Sequence, residues 1–144
     1  MKRGVVQFIF MMLLLLLSIP PVFAVDTITI GAIFAKSGPA SKSTIHHFQA
    51  VRFAVGELNA SGGVLGKRIE VIELDNHSSP IKSKLAAKTA VSLDITAVIG
   101  CSWSDHSLSV AKVLQKHGIP MISPDSTNPD VTKVGDYISK YETL

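Results

Sequence analysis

The chain has 144 residues, 47% of them hydrophobic, and one cysteine, which suits one ordinary domain and excludes an intrachain disulfide. Its net charge of +3 includes Lys2 and Arg3. Without them it falls to about +1, which is no nucleic-acid footprint, so stability must come from a packed core and partners from elsewhere.

Lys2 and Arg3 precede an apolar run from Phe8 to Leu17, then Pro20, Pro21 and the small-residue ending Val22-Phe23-Ala24. This is the pattern of a cleavable export signal, residues 1–24, and it predicts a periplasmic product. A membrane span would need roughly 20 uninterrupted apolar residues, which Gln7 and the proline pair deny. No cysteine stands near Ala24 to carry a lipid.

Beyond the signal, Thr27 to Phe34 alternates and is rich in β-branched residues, as a buried strand would be. A Lys36-Ser37-Gly38-Pro39 turn follows. Phe48, Val51, Val55 and Leu58 then recur at helical spacing, predicting a helix from Ser43 to Ala60 that stops at Ser61-Gly62-Gly63. Arg68 to Leu74 is a second strand. Ser79-Pro80 opens a second helix whose inner face is expected to carry Ile81, Leu85, Ala86, Ala90 and Leu93. Ala97 to Ile99 is a third strand, and Leu108, Ala111 and Leu114 belong to a third helix closed by His117-Gly118. Ile119 to Ser123 is a fourth strand, followed by a polar loop from Pro124 to Pro129. Strands alternating with helices predict an α/β fold: a three-layer, Rossmann-like parallel sheet with helices on both faces.

In such sheets ligands bind where loops leave the carboxyl ends of the strands. Four loops qualify: Lys36 to Thr44, Asp75 to Ser79, Gly100 to Asp105 and Pro124 to Pro129. The third runs into a helix start, whose unpaired N–H groups and dipole suit a carboxylate. Ser104 could add a hydroxyl, Trp103 an apolar wall, and Asp125-Ser126-Thr127 a second hydroxyl from the facing loop. Ser102 and Asp105 also read as a helix cap and its capping-box partner, and that is the favoured role for Asp105. An acid at Asp125 among small residues is expected to favour ligands with an extra donor or positive charge.

Other chemistries find little support. Ser104-Asp105-His106 has the residue types of a hydrolase triad, but neighbours in sequence do not meet in that geometry and no G-x-S-x-G elbow is present. Neither phosphate-cradle motif occurs, so no nucleotide cofactor is expected. His46, His47, His77, His106 and His117 lack zinc-site spacing, and Cys101 reads as a small buried residue.

Glu57-Leu58-Asn59-Ala60-Ser61-Gly62-Gly63-Val64-Leu65-Gly66-Lys67, then Asp75, Ala97-Val98-Ile99-Gly100, Gly118-Ile119-Pro120-Met121-Ile122-Ser123-Pro124 and Thr127-Asn128-Pro129 stand in an order that resembles the branched-chain amino-acid binding family, with its type I periplasmic-binding fold. The resemblance implies a non-catalytic capture protein that hands an amino acid or similar small molecule to an ABC permease in the membrane. A receptor's ligand-sensing ectodomain on the same fold is the alternative. Within it, Ser104 falls on the serine of the first ligand loop and Thr127 on the threonine of the second, with Trp103, Asp105, Asp125 and Ser126 beside them. Asp125 and Thr44 depart from the family's usual small residues. The family continues into a second lobe that closes over the ligand, so residues 25–138 are expected to form the N-terminal lobe only. Residues 139–144 are expected to be a divergent tail at a truncation, unlike the family's next strand.

Overall fold

The computed structural model describes residues 26–141. The expected signal, residues 1–24, lies outside them. The element order is β1 (Thr27–Phe34), α1 (Ser41–Ala60), β2 (Arg68–Asp75), α2 (Pro80–Ser92), β3 (Ala97–Gly100), α3 (Ser104–Leu114), β4 (Met121–Ser123) and β5 (Ile138–Lys140). Short 3₁₀ segments follow α3 (Gln115–His117) and precede β5 (Pro129–Val134). The five strands form one parallel sheet in the order β2-β1-β3-β4-β5. The expected α/β lobe is therefore present, with helices on both faces.

Because alternate residues of a strand face opposite ways, β1 feeds two cores. Ala32 and Phe34 pack with Phe48, Val51, Val55 and Ile69 beneath α1. Ile33 packs with Ala86, Ala87, Ala90, Val98, Val110 and Leu114 beneath α2 and α3. The face of α2 differs from the expected one. Ile81, Leu85 and Leu93 are exposed, while Ser83, Ala86, Ala87 and Ala90 are buried. Small side chains let this helix lie close to the sheet and to α3, and apolar size alone does not reveal that.

The tail also differs. Ser139 and Lys140 continue a strand that pairs with β4, Met121 opposite Ile138 and Ser123 opposite Lys140. Three residues are too few for a periodic signal, and the pairing is supplied by the open edge of β4. Residues 142–144 lie outside the described residues.

The motif after α1 has a mechanical reading. Asn59 Nδ2 donates to the Ile69 carbonyl at 2.9 Å, and its Oδ1 accepts from the Ile69 amide at 2.8 Å. One side chain thus satisfies both backbone groups of the first buried residue of β2. Gly63 has φ +77°, and a Cβ there would stand 2.0 Å from the Lys67 carbonyl oxygen, so the turn requires glycine.

On the α1 face, β3, β4 and β5 carry no helix among the described residues. Ile30, Ile99, Ile122 and Tyr137 line an apolar hollow there of about 370 Å³, with Ile122 45% exposed. Ile122→Thr keeps a β-branched residue and is expected to lower self-association in light scattering without changing far-UV circular dichroism. Asn59→Ala leaves the Ile69 amide and carbonyl unpaired, and is expected to lower unfolding free energy by about 1–3 kcal/mol in urea titrations.

Candidate functional site

The carboxyl ends of β1, β2, β3 and β4 bring the expected loops together. Phe34, Ala35, Ala40, Thr44, Asn76, Ser102, Trp103 and His106 surround a narrow crevice there. Gly100, the last residue of β3, lies so close to β1 that a Cβ would meet the Ile33 carbonyl oxygen at 2.3 Å, which brings the next loop tight against Phe34.

That loop is anchored by buried hydroxyls. Ser107 Oγ donates to the Cys101 carbonyl at 3.0 Å and accepts from the Cys101 amide at 3.1 Å. Ser126 Oγ donates to Ser107 Oγ at 2.7 Å. Ser123 Oγ lies 2.7 Å from the Cys101 carbonyl and 2.6 Å from Ser126 Oγ, with one proton to give to either. Ser107, Ser123 and Ser126 are each at most 2% exposed. Ser126, expected to face a ligand, instead turns inward to join the β4 loop to the β3 loop. A burial pattern this local has no periodic signature in the sequence.

Ser104 and Thr127 remain near the surface. Ser104 Oγ accepts from the Asn128 amide at 3.1 Å, so it stands beside the β4 loop, and among the described residues its own proton has no acceptor. Thr127 is exposed, and among the described residues its hydroxyl has no hydrogen bond. Trp103 is 46% exposed, its ring tilted against His106 at 5.3 Å between centroids.

The expected cap at Ser102 is not made. Trp103 is the N-cap residue and supplies no side-chain bond. Ser102 Oγ lies instead 3.5 Å from His47 Nδ1. Asp105 does serve the helix, accepting from the His106 amide at 2.9 Å in the first turn, where the dipole favours a negative charge.

Asp125 is also differently placed than its sequence context suggests. Its Oδ2 meets His47 Nε2 at 2.6 Å, so it is not an acid left without a partner. A histidine pair on a helix has no contact-specific signal, so this pairing has no signature in the sequence.

The first two loops are joined by Asp75. Its carboxylate accepts from the Lys36 amide at 2.9 Å, the Ser37 hydroxyl at 2.8 Å and the His77 amide at 2.8 Å. Burial acts to raise its pKa, but these hydrogen bonds, from His77, Ser37 and Lys36, and attraction from His77 outweigh it and hold the group below its ordinary value.

Ser104, Asp105 and His106 are not assembled as a hydrolase triad. Ser104 is bonded to a backbone amide, and His106 Nε2 lies 3.9 Å from Asp105 Oδ1. Burial pushes the His106 imidazole down, with Asp105 opposing. Burial pushes the Cys101 thiol up to about 12, leaving it protonated at neutral pH. Among the described residues no cluster of His, Cys, Asp or Glu could hold a metal ion.

The profile of the periplasmic binding protein family matches residues 27–139. The leucine-specific-binding protein of Salmonella typhimurium is 32% identical over 110 residues, covering 76% of this chain and 30% of that protein. A crystal structure of the branched-chain amino acid transporter substrate-binding protein LivJ from Streptococcus pneumoniae, in complex with isoleucine, superposes with a TM-score of 0.77 at 33% identity, covering 80% of this chain and 33% of that one. The leucine-binding protein LivK of Thermotoga maritima gives a TM-score of 0.73 at 30% identity, covering 78% and 32%. A loop-lined lobe of this topology, matched over nearly all of its described length, belongs to the periplasmic binding protein family. The chain spans about a third of the length of these relatives, and corresponds to their N-terminal portion.

Because the folded pKa of Asp75 lies below its unfolded value, its contribution to stability is full above the unfolded carboxylate range and is lost as pH falls through the folded pKa. Asp75→Asn is therefore expected to cost about 1–2 kcal/mol at neutral pH and progressively less as pH falls towards 2, read from urea midpoints of both proteins across that range.

Proposed function

We propose that this chain is the ligand-contacting N-terminal lobe of an exported solute-binding protein for branched-chain or related amino acids, acting in ABC-type uptake and performing no catalysis. The observation that carries this reading is the pairing of Ser104 and Thr127. The two hydroxyls come from adjacent loops tied by the Ser104–Asn128 bond, and both keep a proton to give. They sit beside the N-terminus of α3, where partial positive charge favours a carboxylate. Trp103 offers a partly exposed apolar wall for the ligand's body.

The same facts argue for capture over turnover. Among the described residues no base is hydrogen-bonded to Ser104, and the Cys101 thiol is buried and protonated. Export follows from the amino-terminal sequence pattern, Lys2 and Arg3 before the Phe8–Leu17 run and Ala24 at the cleavage position, and agrees with the periplasmic family. In this reading the partner of the complete protein is a membrane permease, as the transporter named for the Streptococcus relative suggests.

A single lobe encloses only one side of a ligand, and affinity depends on how much ligand surface is covered. Leucine or isoleucine titrated into the isotopically labelled chain is expected to shift the Ser104, Thr127 and Asn128 amide resonances with millimolar affinity. Ser104→Ala and Thr127→Val are each expected to weaken binding by roughly 1–3 kcal/mol, which takes it out of reach of the titration. Amides that stay unmoved up to the solubility limit of both amino acids would remove these residues from the site.

A further inference from the structure

His47 occupies a position that the binding reading leaves unused. It projects from α1, stacked on Phe34 with ring centroids 4.9 Å apart and planes 20° apart. Its Nε2 lies 2.6 Å from Asp125 Oδ2, and its Nδ1 lies 3.1 Å from the Thr44 carbonyl and 3.5 Å from Ser102 Oγ. One ring therefore touches the helix, the β3 loop and the β4 loop. Thr44 is itself fixed, since its hydroxyl is placed between the Ala35 carbonyl at 2.9 Å and the Ala40 carbonyl at 3.0 Å.

Asp125 immediately precedes Ser126, Thr127 and Asn128. The loop is thus held at two points on its inner side, by Ser126 in the serine network and by Asn128 on Ser104. The Asp125–His47 contact is the third point, and it faces the first helix. A ring carrying Nε2–H donates to Asp125, and a ring protonated at both nitrogens also donates Nδ1–H to the Thr44 carbonyl.

We propose that His47 is a positioning and specificity-determining residue: it holds Asp125 so that Thr127 is presented towards the ligand, and by engaging Oδ2 of that carboxylate it competes with a basic ligand for it, so the site favours neutral side chains. The holding of Asp125 and its loop stands apart from the binding reading above, whereas the presentation of Thr127 and the specificity rest on it. Without His47, Asp125 is an unpaired acid at the rim of the site, the arrangement that would favour a cationic side chain.

The test uses the full chain with His47→Leu, His47→Gln and Asp125→Asn, and the double variant H47L/D125N. Glutamine keeps an N–H that can donate to Asp125, whereas leucine keeps bulk against Phe34 and donates nothing. Hydrogen exchange at the Ser126 and Asn128 amides is expected to quicken about two- to fivefold in His47→Leu and Asp125→Asn, no further in the double variant, and less in His47→Gln. The affinity ratio of lysine to leucine, read by amide shifts, is expected to rise by about two- to fivefold in His47→Leu and to return in the double variant. Unchanged exchange in both single variants, or additive quickening in the double, overturns the positioning role. A lysine-to-leucine ratio that does not move in His47→Leu overturns the specificity role. If the parent chain binds neither amino acid, the binding reading and the specificity role fall together, while the exchange measurement still decides the positioning role. Should His47→Leu fail to fold, Asp125→Asn and His47→Gln carry the same comparison.

Discussion

The arrangement of this lobe depends on how one buried peptide group finds its hydrogen bonds. Cys101 follows the central strand β3, fully buried, and its amide and carbonyl have no strand neighbour to pair with at that point. A buried backbone group left unpaired costs about as much as a lost hydrogen bond, so something must reach it. Ser107 from α3 and Ser123 from β4 do so. Ser126 then completes the set by bonding to both serines. The consequence is geometric: the start of α3 and the loop after β4 are drawn to the same point, and that sets Ser104 beside Asn128. A need of the core thus determines where the surface hydroxyls stand.

The loop ends are organised on the same principle, with different partners. Asp75 gathers the amides of Lys36 and His77, and Ser78 Oγ links the Ser37 carbonyl to the Ala40 amide, accepting from the latter at 2.9 Å. His47 reaches from α1 to the third and fourth loops. Each of the four strand ends is therefore cross-linked to its neighbours by polar side chains, and none depends on apolar burial alone. Networks of this kind are specific because each member left unpaired would be penalised in a low-dielectric setting.

The strand and helix order was legible in the sequence because β1 and α1 are long enough to show periods of 2 and 3.6 residues. The clustering of the four loops was legible because the parallel topology puts them at one end of the sheet. What was not legible has physical causes in particular residues. The buried face of α2 is made of Ser83 and three alanines, which carry little hydrophobic weight, while Ile81 and Leu85 carry much and lie outside. β5 is Ile-Ser-Lys, which has no periodicity to read and is a strand only because β4 offers an edge. Ser126 and Thr127 are adjacent hydroxyl residues in one loop, and only the tertiary position of Ser107 decides that one turns inward and the other outward. His47 and Asp125 are 78 positions apart, and nothing in either one's sequence neighbourhood points to the other.

The separation of roles between these neighbours matters for function. A binding surface works by presenting donors that are held in place but not consumed by the protein itself. Ser126 is consumed: its proton goes to Ser107, and its oxygen lies within reach of Ser123. Ser104 is half consumed, accepting one bond and keeping one to give. Thr127 is held by the loop around it, and its hydroxyl is not engaged by any other described residue. The order from buried to exposed is therefore also the order from structural to available. Rigidity is supplied by the inner hydroxyl, and the outer one inherits it through the one peptide bond between them. That is how a loop without regular secondary structure can carry a preorganised hydrogen-bond donor.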